Sequence, residues 1–209
     1  MRYDVISTYF YVYLTRIIKR CRHGIMIIKN KKKNKQTMDF KDLAQMRRSH
    51  RKFTEEAVSK DDIKLILRSA LMSPTSKGQR NWQFVVVEDK EKIAALSTAK
   101  DLGGQFLASA PVCIAVFGDA SENDCWVEDG SIAAISMQYQ AEDLGLGSCW
   151  AQMRARGLKD GTPADASIQK ILSIPENLSC LCILGIGHKA DERKPQNEDK
   201  LKWENVSWQ

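Results

Sequence analysis

The stretch from Asp124 to Leu144 constrains the fold more than any other part of this chain. Small residues (Gly130, Ser131, Ala133, Ala134, Ser136, Ala141) alternate there with Ile132, Ile135, Met137 and Tyr139. Apolar or small side chains thus occur nearly all round a helix, and such a helix is buried on most sides. Other layers of secondary structure must cover it. Gly145-Leu-Gly147 is a good C-terminal stop, and Ser148 to Gln152 then reads as a strand.

The remaining elements alternate in type. Phe40, Leu43 and Ala44 predict a short amphipathic helix that ends near Arg47. Ser59 is an N-cap with Asp62 three residues on, and Ile63, Ile66, Leu67, Ala70 and Leu71 follow at helical spacing until Pro74. Trp82 to Glu88 reads as a buried strand, Lys90 to Ala99 as a short helix, and Phe106 to Ala110 as a further helical turn. Val112 to Phe117 is a strand, Ala166 to Leu172 a helix, and Ser179 to Gly187 a last strand. Strands and helices alternate without tight hairpins, which gives an α/β or α+β class.

The formal charge of +6 points to nucleic acid only until it is mapped along the chain. Residues 1–37 hold ten Lys/Arg and one acid, a net of +9; residues 38–209 hold 22 Lys/Arg and 25 Asp/Glu, a net of −3. The domain at 38–209 is mildly acidic, so nucleic acid is not an expected partner. Residues 1–37 read as a basic extension, either disordered or upstream sequence ahead of a start at Met38. The apolar run Val5 to Ile18 is too short to span a bilayer, which takes roughly 20 residues. Integral membrane association is not expected, although aromatic residues beside a lysine run suit a membrane surface.

Six cysteines (Cys21, Cys113, Cys125, Cys149, Cys180, Cys182) include no C-x-x-C pair, and the three histidines show no ligand spacing. No metal site is expected, and a reducing cytosol is the expected compartment. Cys180 and Cys182, two apart on a strand, are expected to face one side as packing. No G-x-G-x-x-G after a strand, Walker A motif, G-x-S-x-G elbow or H-E-x-x-H is present. No catalytic side chain is assigned. A chain without a catalytic constellation but with a phosphate-binding cluster suits chemistry carried by a cofactor.

That cluster is Arg47-Arg48-Ser49-His50-Arg51-Lys52-Phe53. Read alone, it is a helix C-terminus whose cations offset the macrodipole. Read as a site, its guanidinium forks and serine hydroxyl suit a phosphate dianion. Two further segments are informative. Ser73 to Phe84 (SPTSKGQRNWQF) has small hydroxyl residues and Gly78, which let the backbone approach a ligand closely. Leu144 to Met153 (LGLGSCWAQM) returns the long helix into a strand.

In their order and spacing these segments resemble the nitroreductase family of FMN-dependent oxidoreductases, from about Met38 to the C-terminus. RRSHRKF resembles the family's R-R-S-x-R-x-F signature. SPTSKGQRNWQFVVV is similar to its A-P-S-x-x-N-x-Q-P-W-x-F-x-V-V segment, DLGLGSCWAQM to its G-L-G-[ST]-x-W stretch, and ILGIGHKADERKP to its closing strand and tail. The resemblance implies an α+β layered fold with a central, mostly antiparallel sheet flanked by helices, in an intertwined homodimer with FMN in two equivalent interface sites. It places Arg47, Arg48, Ser49 and Arg51 on the FMN phosphate and ribityl chain, with Arg193 as a late cation. Pro74, Thr75, Ser76 and Gly78 would come from the other subunit to flank the ring. Trp150, Ala151, Gln152 and Met153 would line it, with a backbone N–H aimed at its N5 or O4. His50 would be a spacer facing away, and the arm carrying Trp203 and Trp208 would wrap the partner.

The implied activity is transfer of reducing equivalents from NAD(P)H to a small organic acceptor, such as a nitroaromatic or quinone, by ping-pong turnover. An enzyme with a dedicated substrate (dehalogenase or dehydrogenase) and a non-catalytic redox sensor are the alternatives. Three departures bear on acceptor choice and flavin potential. Gly78 stands where the family usually has Asn, Arg80-Asn81 replace Gln-Pro, and Gln152-Met153 replace a frequent Gly-Gly.

Overall fold

The computed structural model describes residues 38–209; the expected basic extension and its membrane-surface reading lie outside them. Strands β2 (Val112–Gly118) and β4 (Ser179–Gly187) are apolar at almost every position, so both faces of each need cover. They pair at the centre of a four-stranded sheet. Strand β1 (Gln83–Val87) lies outside β2, and β3 (Gly147–Gln152) lies outside β4. All three pairings are antiparallel, as expected of an α+β sheet.

Helices cover both faces. Alternation along β2 sends Cys113, Ala115 and Phe117 to one side and Val112, Ile114 and Val116 to the other. On the first side lie α3 (Lys90–Ser97), α5 (Ala164–Leu172) and a 3-10 turn at Gln105–Ser109, which bury Ile93, Leu96, Ile168 and Leu107. On the second lie α2 (Lys60–Leu71) and α4 (Trp126–Asp143), with Ile63, Ile66, Ala70, Ala133, Ala134, Met137 and Ala141. The Ser59 hydroxyl accepts the Asp62 N–H and so caps α2 as its sequence predicts. The short α1 (Phe40–Met46) precedes these elements.

Helix α4 departs from its expected burial on most sides. Ile132 is 39% exposed, and Ile135 and Tyr139 are only partly buried. The reason is physical: among the described residues the sheet covers one face and α2 a flank, while the short α1 reaches Tyr139 through the Phe40 ring (centroids 5.3 Å apart) and leaves Ile132 open. Glycine matters at the covered face, where a Cβ on Gly130 would stand 2.8 Å from Leu181 Cδ2.

The cysteine pair is a correction. Cys180 lies in the α3/α5 core and Cys182 in the α2/α4 core, on opposite faces. The register with β2 slips between Val116 and Phe117, which oppose Cys182 and Cys180 in turn. Leu181 is therefore the extra residue of a β-bulge, and the bulge breaks the two-residue alternation that the sequence implies.

Burial pushes the Cys113 thiol up to about 12 and also raises Cys180 and Cys182, while Cys125 is only half-buried. In a Cys21→Ser background at pH 8, a thiol-disulfide dye is expected to label Cys125 in the native protein. Cys113, Cys180 and Cys182 should react only after urea unfolds it. Fast labelling of those three in the native protein would contradict this core.

Candidate active site

The site begins where α1 stops. Arg47 leaves helical geometry (φ −60°, ψ 125°), and the chain runs extended rather than ending as a cation-capped helix. Ser49 bridges Ser148 of β3 in parallel, and the His50 N–H donates to the Ser148 carbonyl at 3.0 Å. Beyond it, the Thr54 N–H donates to the His188 carbonyl (3.0 Å) and the Ala190 N–H to the Lys52 carbonyl (3.1 Å). Residues 49–54 are thus stitched between β3 and the exit of β4. In extended chain successive side chains alternate in direction. Arg47, Ser49 and Arg51 share one side; Arg48, His50 and Lys52 share the other.

The first set surrounds Cys149. Burial raises that thiol, against the opposing pull of Arg51, a hydrogen bond from Ser49, Arg47 and then Arg193. Arginines from two chain segments thus lie near enough to one thiol to oppose its burial. No ion pair among the described residues engages Arg47 or Arg51. A fourth cation was missed by the sequence reading. Lys100 is only 6% exposed, and its pKa is lowered by burial first and by Arg156 second, with Cys149 near enough to pull the other way. No local motif marks it; only the tertiary arrangement does. The donor set of guanidinium forks, a hydroxyl and a desolvated ammonium fits a phosphate monoester dianion.

The second set has other partners. Arg48 Nη1 donates to the carbonyls of Lys194 and Pro195, so this arginine ties down the C-terminal segment rather than facing Cys149. His50 is buried, with Nδ1 2.8 Å from Asp191 Oδ1. Asp191 Oδ2 accepts from Arg193 Nε (2.9 Å) and Nη2 (2.8 Å). Lys189 Nζ donates to Glu142 Oε1 at 2.6 Å, and these residues line a cavity of about 550 Å³ with Met46. Burial pushes the Asp191 carboxyl up, but the bonds from His50 and Arg193 outweigh it and hold it below the usual range. A depressed carboxylate stabilises the fold above its unfolded pKa, and that stabilisation is lost as pH falls through the depressed value.

The loop at Pro74–Gly78 lies elsewhere. The Ser76 N–H donates to Asp129 Oδ1 (2.8 Å), and Asn123 Nδ2 donates to Asp129 Oδ2 (2.8 Å) and Asn81 Oδ1 (3.1 Å). Asp129 and Asn123 are both buried, and neither was picked out from the sequence. Lys77 and Arg80 adopt left-handed backbone (φ 52° each), as does Gly78 (φ 66°), so the loop is held in a strained form. Asp129 opens α4 and Glu142 closes it. Those 13 residues span roughly 20 Å along the axis. Within one chain the loop and the arginine cluster sit at opposite ends of this helix.

Strand β3 carries the last expected group. Ala151 and Met153 turn their side chains into the α3/α5 core, so neither offers a side chain to a ligand. Trp150 Nε1 donates to Gln152 Oε1 (2.9 Å), and Gln152 Nε2 to the Arg154 carbonyl (3.0 Å). The Met153 N–H is taken by the Leu181 carbonyl. The Ser148 carbonyl faces away from β4, toward His50, so the backbone groups of Trp150 and Gln152 face that open edge as well.

Lys100 gives a test of whether the cluster is built for an anion. Lys100→Met removes a desolvated charge and its repulsion from Arg156. The unliganded protein is expected to melt a few degrees higher, while the rise in melting temperature that inorganic phosphate gives should shrink. Lower stability with unchanged phosphate response would show Lys100 to be structural.

The sequence pattern of the Nitroreductase family matches residues 44–101 and 95–188. A protein of Archaeoglobus fulgidus with the provisional name NADH dehydrogenase/NAD(P)H nitroreductase is 31% identical over 151 residues, covering 70% of this chain and 83% of its own. An FMN-dependent nitroreductase from Clostridium difficile superposes with a TM-score of 0.78 at 43% identity, over 79% of this chain and 96% of that one. A Bacteroides thetaiotaomicron protein, again provisionally named NADH dehydrogenase/NAD(P)H nitroreductase, gives 0.73 at 29% identity, over 80% and 95%. The matched residues include the arginine cluster, the Ser76 loop, α4 and both inner strands, and the chain belongs to the nitroreductase family.

Proposed function

We propose that the protein is an FMN-dependent oxidoreductase that passes reducing equivalents from NAD(P)H to a small organic acceptor, such as a nitroaromatic or quinone, as a homodimer. The observation that carries the reading is the separation along α4. A phosphate-type cluster lies at one end, and the Thr75–Gly78 loop, tied to Asp129, lies at the other. One flavin needs both at once, and a two-fold pair of chains supplies the cluster from one copy and the loop from its partner. Apolar surface supports the dimer: Leu71, Met72 and Ile132 are exposed, and Trp203 and Trp208 stand 64% and 87% exposed on the C-terminal arm.

The chain's own residues hold and orient. Arg47, Arg51 and Arg193 would hold the FMN phosphate, with the Ser49 hydroxyl as a further donor and Lys100 as added positive charge. Thr75, Ser76 and Gly78 of the partner's loop would border the ring, and the open-edge N–H groups of Trp150 and Gln152 would serve as donors to it. When bound, FMN supplies the redox chemistry, a two-electron exchange first with the nicotinamide and then with the acceptor. Donor and acceptor bind in turn at one place, the ping-pong order, so the protein's work is proximity and electrostatics. Among the described residues no helix is long and apolar enough to cross a membrane. The free cysteines support a cytoplasmic location.

Two measurements test this. In anaerobic titration, NADH or NADPH should bleach the flavin absorbance, and a nitroaromatic or quinone should restore it; bleaching that no acceptor reverses would favour the sensor reading. In the second, Arg47→Ala with Arg51→Ala removes two charge-assisted contacts at roughly 1.5–3 kcal/mol each, so FMN affinity should fall about 100-fold or more. Unchanged FMN affinity in that double variant would sink the assignment.

A further inference from the structure

We propose that Asp191, itself fixed by His50, is a positioning residue that aims Arg193 into the anion cluster. The inference rests on the reading that this cluster holds the FMN phosphate. Its geometry begins with a divided carboxylate. Oδ1 accepts from His50 Nδ1 at 2.8 Å, and Oδ2 takes the Nε and Nη2 edge of Arg193 at 2.9 and 2.8 Å. Because the carboxylate accepts, Nδ1 carries the proton. The guanidinium is gripped along one edge only, which leaves its Nη1 side for another anion.

His50 is a rigid anchor for this arrangement. Its ring is 4% exposed, and its backbone N–H is fixed on the Ser148 carbonyl. Its Cβ lies where a side chain on Gly147 would be, 2.9 Å from a Cβ built there, so β3 packs hard against it. Asp191 is also well covered, at 14% side-chain exposure, whereas Arg193 is 42% exposed and follows β4 in irregular chain. An exposed arginine on a loop samples many rotamers, and a grip on its Nε edge selects a few of them. Arg193 is also near enough to Cys149 to pull its thiol the same way as Arg51 and Arg47, which puts the gripped side chain beside the cluster. The sequence offers His50 only as a spacer between two site residues. The structure makes it the fixed point from which a third arginine is hung.

A carboxylate beside a phosphate site has an opposite, purely repulsive reading, and the experiment must separate the two. The full-length chain, stripped of flavin, would be titrated with FMN and with riboflavin by fluorescence quenching. Variants are Asp191→Asn, His50→Leu and His50→Asn, whose amide can replace the Nδ1 donor. The expected result is FMN affinity about tenfold weaker in Asp191→Asn and His50→Leu, a loss of about 1.4 kcal/mol, with riboflavin affinity unchanged and His50→Asn within about twofold of the native protein. Unchanged or tighter FMN binding in Asp191→Asn would mean that the carboxylate only repels, and would overturn the proposal. Parallel losses for FMN and riboflavin, or failure of His50→Asn to outperform His50→Leu, would reduce the network to fold maintenance. If the native chain itself does not prefer FMN to riboflavin, the phosphate reading falls first and this inference falls with it.

Discussion

The site depends on the position of β4. That strand is buried along almost its whole length and paired on both edges, with β2 on one side and β3 on the other. A strand paired on both edges and packed on both faces has its register fixed from all sides, because its side chains must fit two differently shaped cores. The bulge at Leu181 uses this constraint rather than relaxing it. It lets one strand serve two cores whose helices press from opposite sides, with Gly130 giving α4 room above it. Residues 188–190 leave this fixed strand already placed, and they in turn pin Lys52, Phe53 and Thr54. The arginine segment inherits its position from the core.

This inheritance explains why a short motif with two variable positions reads as it does. Extended backbone sends alternate side chains to opposite sides, so Arg47, Ser49 and Arg51 make one surface. Arg48 and His50 are released for other work, Arg48 as a strut on the C-terminal segment and His50 as an anchor for Asp191. The resemblance treats Arg47, Arg48, Ser49 and Arg51 as one phosphate-binding set, and the geometry divides that set by parity.

The strand and helix order was legible in the sequence because each element carries a strong local signal: the Ser59 cap, the all-apolar β2 and β4, and the glycine stop after α4. What was illegible needs contacts distant in sequence. Lys100 sits in a helix-to-turn connection with no motif, and only folding brings it near Cys149. Asp129 looks like an ordinary acid in the first turn of a helix until it accepts the Ser76 N–H, 53 residues earlier. The Cys180–Cys182 reading failed because a bulge is a property of two strands in register, and a single strand cannot announce it. The outer face of α4 is the instructive intermediate case. Its apolar pattern predicts more cover than the described chain gives: Phe40 reaches Tyr139, while Ile132 stays exposed.

The electrostatics fit that view. A chain folded for stability alone would give Arg47 and Arg51 carboxylate partners and would replace a desolvated Lys100 by an apolar side chain. Here Glu142 is taken by Lys189, and Asp191, shared with His50, engages Arg193 among the cluster arginines; among the described residues no ion pair engages Arg47, Arg51 or Lys100. Uncompensated positive charge in a partly buried place destabilises the unliganded fold and favours the bound form of a dianion, because the ligand relieves a repulsion that already exists. Stability and binding are therefore opposed at the same residues. That opposition, more than the presence of arginines as such, is what supports the proposed phosphate site over a merely basic surface.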